Sequence, residues 1–128
     1  MKIAAIIVRT LLGLAFAFFG LNMIHPLMQM TMPPGDAGTY FGLLYSHGFL
    51  FYIGAFQLVG GLLTLSGRFT PLGLAILSPI LVNILLFHAL FGVPGISHGA
   101  VLSVLEIFLI WVYRPNFNGL FETARLKA

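Results

Sequence analysis

Four polar side chains stand where an apolar chain accommodates them least. Gln57, Asn83 and Glu106 fall near the middle of long apolar runs, and Arg9 falls early in another. Near the centre of a bilayer a charge costs about 2.5–3.5 kcal/mol on insertion scales, so such groups find partners or bind something. At about 100° per residue, Arg9 shares a helical stripe with Gly13, Phe16 and Gly20. Gln57 shares one with Gly54, Gly61 and Thr64, and Glu106 with Gly99, Ser103 and Tyr113. Small residues mark faces where membrane helices approach closely, which predicts that these polar groups point inward. The simplest arrangement is an intramembrane cluster of Arg9, Gln57, Asn83 and Glu106, with an Arg9–Glu106 ion pair assisted by Gln57. Such a pair either fixes helix register without chemistry, or leaves Glu106 to bind a proton or a cationic ligand.

The histidines form a second pattern. His25, His47, His88 and His98 belong to the ends of four different apolar runs, and a folded-back chain puts all four on one side. Imidazole is the commonest nitrogen ligand of haem iron, copper and zinc, so their shared depth raises a metal or haem hypothesis. No pair sits at a short ligand interval on one helix, and a structural hydrogen bond is the simpler role. Met23, Met28, Met30 and Met32 bracket His25. Soft thioethers beside imidazole suit Cu(I), and flexible packing under a loop explains them equally.

The elements that must position these groups follow from composition. Of 128 residues, 59% are hydrophobic and 7% charged, against roughly 25% charged in a soluble domain. The expected solvent is lipid. A spanning helix needs about 20 mainly apolar residues, and residues 3–24, 48–66, 70–91 and 97–113 supply such runs, the last at the short limit. The pattern does not alternate, so barrel strands are excluded. The predicted fold is all-α, a four-helix transmembrane bundle forming a single domain. The loop at 25–47 holds a short interfacial helix near 37–46 carrying Tyr40, Phe41 and Tyr45.

Lys2, Arg9, Arg68, Arg114, Arg125 and Lys127 all fall on one side of four antiparallel spans, while the loops at 25–47 and 92–96 carry no Lys or Arg. The positive-inside rule places both termini in the cytoplasm and the chain in a bacterial cytoplasmic membrane. Residues 114–128 form a tail, with Phe117, Leu120 and Phe121 interleaved with basic residues along the inner leaflet. Lys2 and the following apolar stretch resemble a signal peptide, but Arg9 interrupts it and the run continues to Ile24, which reads as a retained span. The net charge of +3 is not clustered, so nucleic acid is not an expected partner. Cysteine is absent, which removes disulfides, iron–sulfur ligation and CxxC chemistry.

Several segments together resemble the small bacterial DoxX family. They are Arg9-Thr-Leu-Leu-Gly13 through Phe19-Gly20, Gln57-Leu-Val-Gly60-Gly61-Leu-Leu-Thr-Leu, Gly67-Arg68-Phe69-Thr-Pro71-Leu and Pro79-Ile-Leu-Val-Asn83-Ile-Leu-Leu-Phe-His88. Met32-Pro33-Pro34-Gly35 fits the same group, and Gln57 stands where many members have Glu. The resemblance implies a four-helix membrane protein. It implies a membrane subunit of a redox-associated, quinone-linked complex with protein partners; with no thiol, no nucleotide-binding glycine loop and no paired carboxylates, the chain is not expected to be catalytic on its own. A quinone-sized cleft is then expected near Gln57, Asn83 and His88. Two other readings are a minimal transporter or channel using Glu106, as a homodimer, and a scaffold or assembly factor with no ligand.

Overall fold

The computed structural model describes residues 2–25, 33–92 and 96–122. Among them the regular structure is helical throughout. The elements are α1 (Lys2–Ile24), α2 (Asp36–Ser46), α3 (Phe49–Ser66), α4 (Thr70–Phe91), α5 (Ile96–Val112) and a short 3₁₀ helix (Arg114–Phe121). α1, α3 and α4 are each long and apolar enough to cross a membrane. α5 has 17 residues and reaches that length only together with the 3₁₀ helix, from which it is bent by 80°.

That bend falls where residues 97–113 were predicted to end, and Pro115 explains it. Proline has no N–H to give the carbonyl of Trp111, one turn back. Arg114 Nη1 donates to that carbonyl instead, at 2.7 Å, and the guanidinium lies 4.6 Å from the Trp111 ring centre. Phe117 packs on the apolar core, while Leu120 and Phe121 are exposed. Arg125 and Lys127, assigned to the same tail, lie outside the described residues.

α1 packs on α3 and α5, and α4 packs on the same two, so the long helices close a ring. Neighbours run antiparallel, and small residues set the tightest seam. A Cβ added to Gly61 would lie 2.6 Å from the backbone nitrogen of Ala17 and 2.7 Å from the carbonyl oxygen of Gly13. One added to Gly54 would lie 2.7 Å from the carbonyl oxygen of Gly20. The two backbones are therefore in contact through Gly13, Ala17 and Gly20 on one side and Gly54 and Gly61 on the other. Where the solvent is lipid, such packing replaces the hydrophobic effect as the force between helices. The α3–α4 seam repeats the device, with Leu77 against Gly60 and Thr64 against Gly73.

The α3–α4 turn is closed by side chains. Thr70 Oγ1 donates to the Thr64 carbonyl at 2.9 Å, and Ser66 Oγ accepts from the Phe69 N–H at 3.0 Å. Gly67 ends α3 with φ of 73°, a left-handed conformation that suits glycine. α2 lies over the opposite end, where Tyr40 stacks on Phe91 at 5.6 Å and meets Phe87 at 5.9 Å.

Replacing Gly61 with Val forces the α1–α3 seam apart and should cost roughly 2 kcal/mol, the usual scale of overpacking. Gly42→Ala, on α2 where an added Cβ meets nothing within 4 Å, should instead be neutral or stabilising by up to about 1 kcal/mol. Denaturant titration of helicity in micelles measures both.

Candidate functional site

The ring brings the polar residues to two separate places, and Arg9 to a third. Arg9 lies near the start of α1, at the end of the ring that also holds Lys2, Arg68 and Arg114. Its Nη1 donates to the Tyr113 hydroxyl at 3.2 Å, and its guanidinium lies against Gly67, where a Cβ would sit 2.9 Å from Nη1. The unpaired carbonyls at the C-terminal end of α3 make this a favourable place for a cation. Arg9 Nε is buried without a partner.

Glu106 does not pair with Arg9. Glu106 is 3% exposed, and its carboxyl accepts a hydrogen bond from Ser78 Oγ of α4 at 3.0 Å. The reason is depth. Tyr113, which holds Arg9, lies just past the end of α5 and seven residues beyond Glu106, about 10 Å along the helix axis at 1.5 Å per residue. That is beyond what the arginine stem spans while still bonded to Tyr113. The expected four-residue cluster is thus divided among Arg9 with Tyr113, Glu106 with Ser78, and an amide pair described next.

Gln57 and Asn83 share a cavity of about 560 Å³ between the long helices at the end covered by α2. Gln57 is 2% exposed, lies between Gly54 and Gly61 on the buried face of α3, and its Nε2 donates to Met23 Sδ at 3.7 Å. Asn83 is on the exposed side of α4, lines the same cavity, and makes no hydrogen bond with the described residues. His88 and His98 also line it, with Tyr40, Phe41 and Phe87 over the top. Phe87 is the hub of that roof, 6.2 Å from Phe41, 5.3 Å from Phe91 and 5.5 Å from the His88 ring.

The other two histidines stand apart from the cavity lining. His25 is exposed at the end of α1, and His47 Nδ1 lies 3.1 Å from both Ser46 Oγ and the Leu43 carbonyl. Among the described residues no three of His, Cys, Asp or Glu come together to hold a metal ion. Met28, Met30 and Met32, the bulk of the copper hypothesis, lie outside the described residues, and Met23 is engaged by Gln57.

Three parts of these sites play roles that the sequence did not assign them. Ser78 could have been found, because antiparallel pairing puts it level with Glu106. Tyr113 was already on the Glu106 stripe and serves Arg9 instead. The aromatic roof has no sequence signal beyond aromatic content, since Tyr40 and Phe87 meet only once α2 folds over α4.

The fold and site together define an all-helical protein with membrane-length apolar helices and an aromatic cavity near one end. No family model matches the chain. It is similar to the uncharacterized protein YwoB of Bacillus subtilis (strain 168), 35% identical over 86 residues, which are 67% of this chain and 54% of that protein. The chain thus spans about half the length of this curated relative. No solved structure matches.

Separate partners predict separate energetics. A double-mutant cycle between Arg9→Met and Glu106→Gln should give a coupling below about 0.5 kcal/mol. The cycle between Arg9→Met and Tyr113→Phe should give about 0.6 kcal/mol or more, the average for hydrogen bonds between membrane helices. Unfolding in mixed micelles reads both cycles, and a dominant Arg9–Glu106 coupling would contradict the geometry.

Proposed function

We propose that this chain is a DoxX-type integral membrane protein. In this reading it crosses the bacterial cytoplasmic membrane as a four-helix bundle with both termini inside, and works as the membrane subunit of a redox-associated complex. Its own role is to hold a flat, lipid-soluble ligand of quinone size in the cavity under α2. The observation that carries this is the lining of the 560 Å³ cavity, which lies within the roughly 300–1,000 Å³ range of small-molecule sites. Its walls are mainly apolar and aromatic, suited to a ring. Its polar groups are few: the amides of Asn22, Gln57 and Asn83, the Tyr40 hydroxyl and the imidazoles of His88 and His98.

Asn83 is the most telling of these. An amide set far along an apolar helix, with no partner among the described residues, is costly in lipid and is satisfied by a ligand carbonyl. The topology is supported by the placement of Lys2, Arg9, Arg68 and Arg114 at one end and of the four histidines at the other. The family assignment rests on the residue segments quoted above. The partner subunits supply whatever redox centre the complex uses, since the reading gives this chain binding and orientation only.

Two measurements test the proposal. Protein extracted in mild detergent should carry quinone near one equivalent, and a short-chain naphthoquinone should bind the stripped protein. Asn83→Leu should weaken that binding about fivefold, the value of one hydrogen bond of about 1 kcal/mol. A quinone content no higher than that of an unrelated membrane protein, with binding indifferent to Asn83, would overturn the ligand assignment. A fluorescent reporter fused to the C-terminus should fluoresce in intact cells, and an alkaline phosphatase fused there should be inactive; the opposite pair would overturn the topology.

A further inference from the structure

A second, smaller cavity of about 190 Å³ lies on the other side of the α4–α5 pair and shares no lining residue with the first. Glu106 and the hydroxyl-bearing Ser78 and Ser103 line it, and its walls are Leu81, Val82, Leu85, Ile107 and Ile110. Val82 is 56% exposed and Ile107 67%, so the cavity adjoins the outer surface of the ring. In a membrane that surface faces lipid.

We propose that this cavity is a lipid-accessible binding site for a small organic cation, with the Glu106 carboxylate as its counter-charge.

Charge balance is the first argument. Glu106 has no cationic partner among the described residues. The described cations Lys2, Arg9, Arg68 and Arg114 all lie toward one end of the ring, and the nearest in register, Arg9, is held by Tyr113 and packed against Gly67. Around the carboxyl, α4 contributes Ser78 and apolar side chains, and α5 contributes Ser103 and apolar side chains. The neighbouring core from α1 is Leu12 and Phe16. Nothing titratable or charged faces Glu106 from any of these helices. A buried carboxylate in that setting is neutralised by a proton or by a ligand.

Ser78 has one hydroxyl hydrogen and two neighbouring acceptors, the Leu74 carbonyl at 2.7 Å and Glu106 Oε1 at 3.0 Å. That hydroxyl donates toward both, so the carboxyl is held by one shared hydrogen bond and by no charge among the described residues. Where the carboxyl holds a proton, a cation that enters takes its place: the carboxyl O–H bond breaks, the proton leaves to water, and the carboxylate faces the bound charge. Total charge in the cavity is unchanged.

Size and lining select the class of cation. A metal ion such as Ca²⁺ takes six to eight oxygen ligands, whereas one carboxyl and two hydroxyls are available, and Ser103 Oγ already donates to the Gly99 carbonyl at 2.7 Å. An apolar cavity of about 150 Å³ takes up benzene, so 190 Å³ suits an ammonium group bearing a few apolar substituents. The site is independent of the quinone reading, because the two cavities are formed by opposite sides of the same helix pair.

The test uses the full chain in lipid nanodiscs, with benzyltrimethylammonium as probe and neopentylbenzene as its uncharged isostere. The cation should bind at least tenfold more tightly than the isostere. Its affinity should fall as pH is lowered through the range where Glu106 takes up its proton, approaching tenfold per pH unit. On the acid side of that range, calorimetry in buffers of different ionisation enthalpy should show close to one proton released per cation bound. Glu106→Gln should weaken the cation at least tenfold, and Val82→Trp, which fills the cavity from its exposed rim, should do the same with helicity unchanged. Equal binding of cation and isostere, cation binding without proton release on the acid side of that range, or cation binding that survives Val82→Trp would overturn the proposal.

Discussion

The contact on which the rest depends is that between the backbones of α1 and α3. Gly13, Ala17 and Gly20 meet Gly54 and Gly61 with no side chain between them. That closeness fixes the relative height of the two helices. It puts Arg9 beside the end of α3, and Gln57 on the buried α3 face opposite Gly20. With α4 and α5 added through their own seams, every polar group in the spans acquires a fixed depth. In lipid, where apolar surface gains little by being covered, such steric fit carries most of the specificity of packing.

Depth then decides which polar groups can meet. The basic residues gather at one end of the ring, and a guanidinium there finds helix-end carbonyls and a tyrosine hydroxyl near its own level. A carboxyl about two turns away along α5 is out of its reach and turns to a serine on the adjacent helix. The separation has a chemical consequence. An Arg–Glu pair would be a closed structural unit, whereas a carboxyl held by a serine hydroxyl has no counter-charge among the described residues. Two cavities lie on either side of the α4–α5 pair, one amide- and imidazole-lined under an aromatic roof, the other holding this carboxyl. They give one small chain two chemically distinct faces.

α2 gives the larger cavity its roof. Tyr40 and Phe41 lie over Phe87 and Phe91 of α4 and tie α2 to that helix. Aromatic rings in such tilted and stacked contacts contribute beyond the area they bury. Gly35 and Gly48 bracket α2, both with φ of 73°. These left-handed residues let the chain reverse at both ends of a short element, which is how an interfacial helix is turned over the bundle instead of continuing as part of a span.

Much of the element plan was legible in the sequence because its cause is local. Runs of about 20 apolar residues form helices wherever water is absent, glycine and proline interrupt them, and the predicted boundaries of α1, α3 and α4 lie within one residue of those found. The burial of Gly13, Phe16 and Gly20, and of Gly54, Gln57 and Gly61, follows from helical period alone. The pairing of side chains between helices was not legible, because it depends on how far one helix slides along another. That slide is set by contacts such as Gly61 against Ala17, which no single segment contains. Arg9 and Glu106 each point inward as their stripes require, yet only the packed ring reveals that they do so at different heights, and that a proline bend after α5 brings Arg114 back to Trp111.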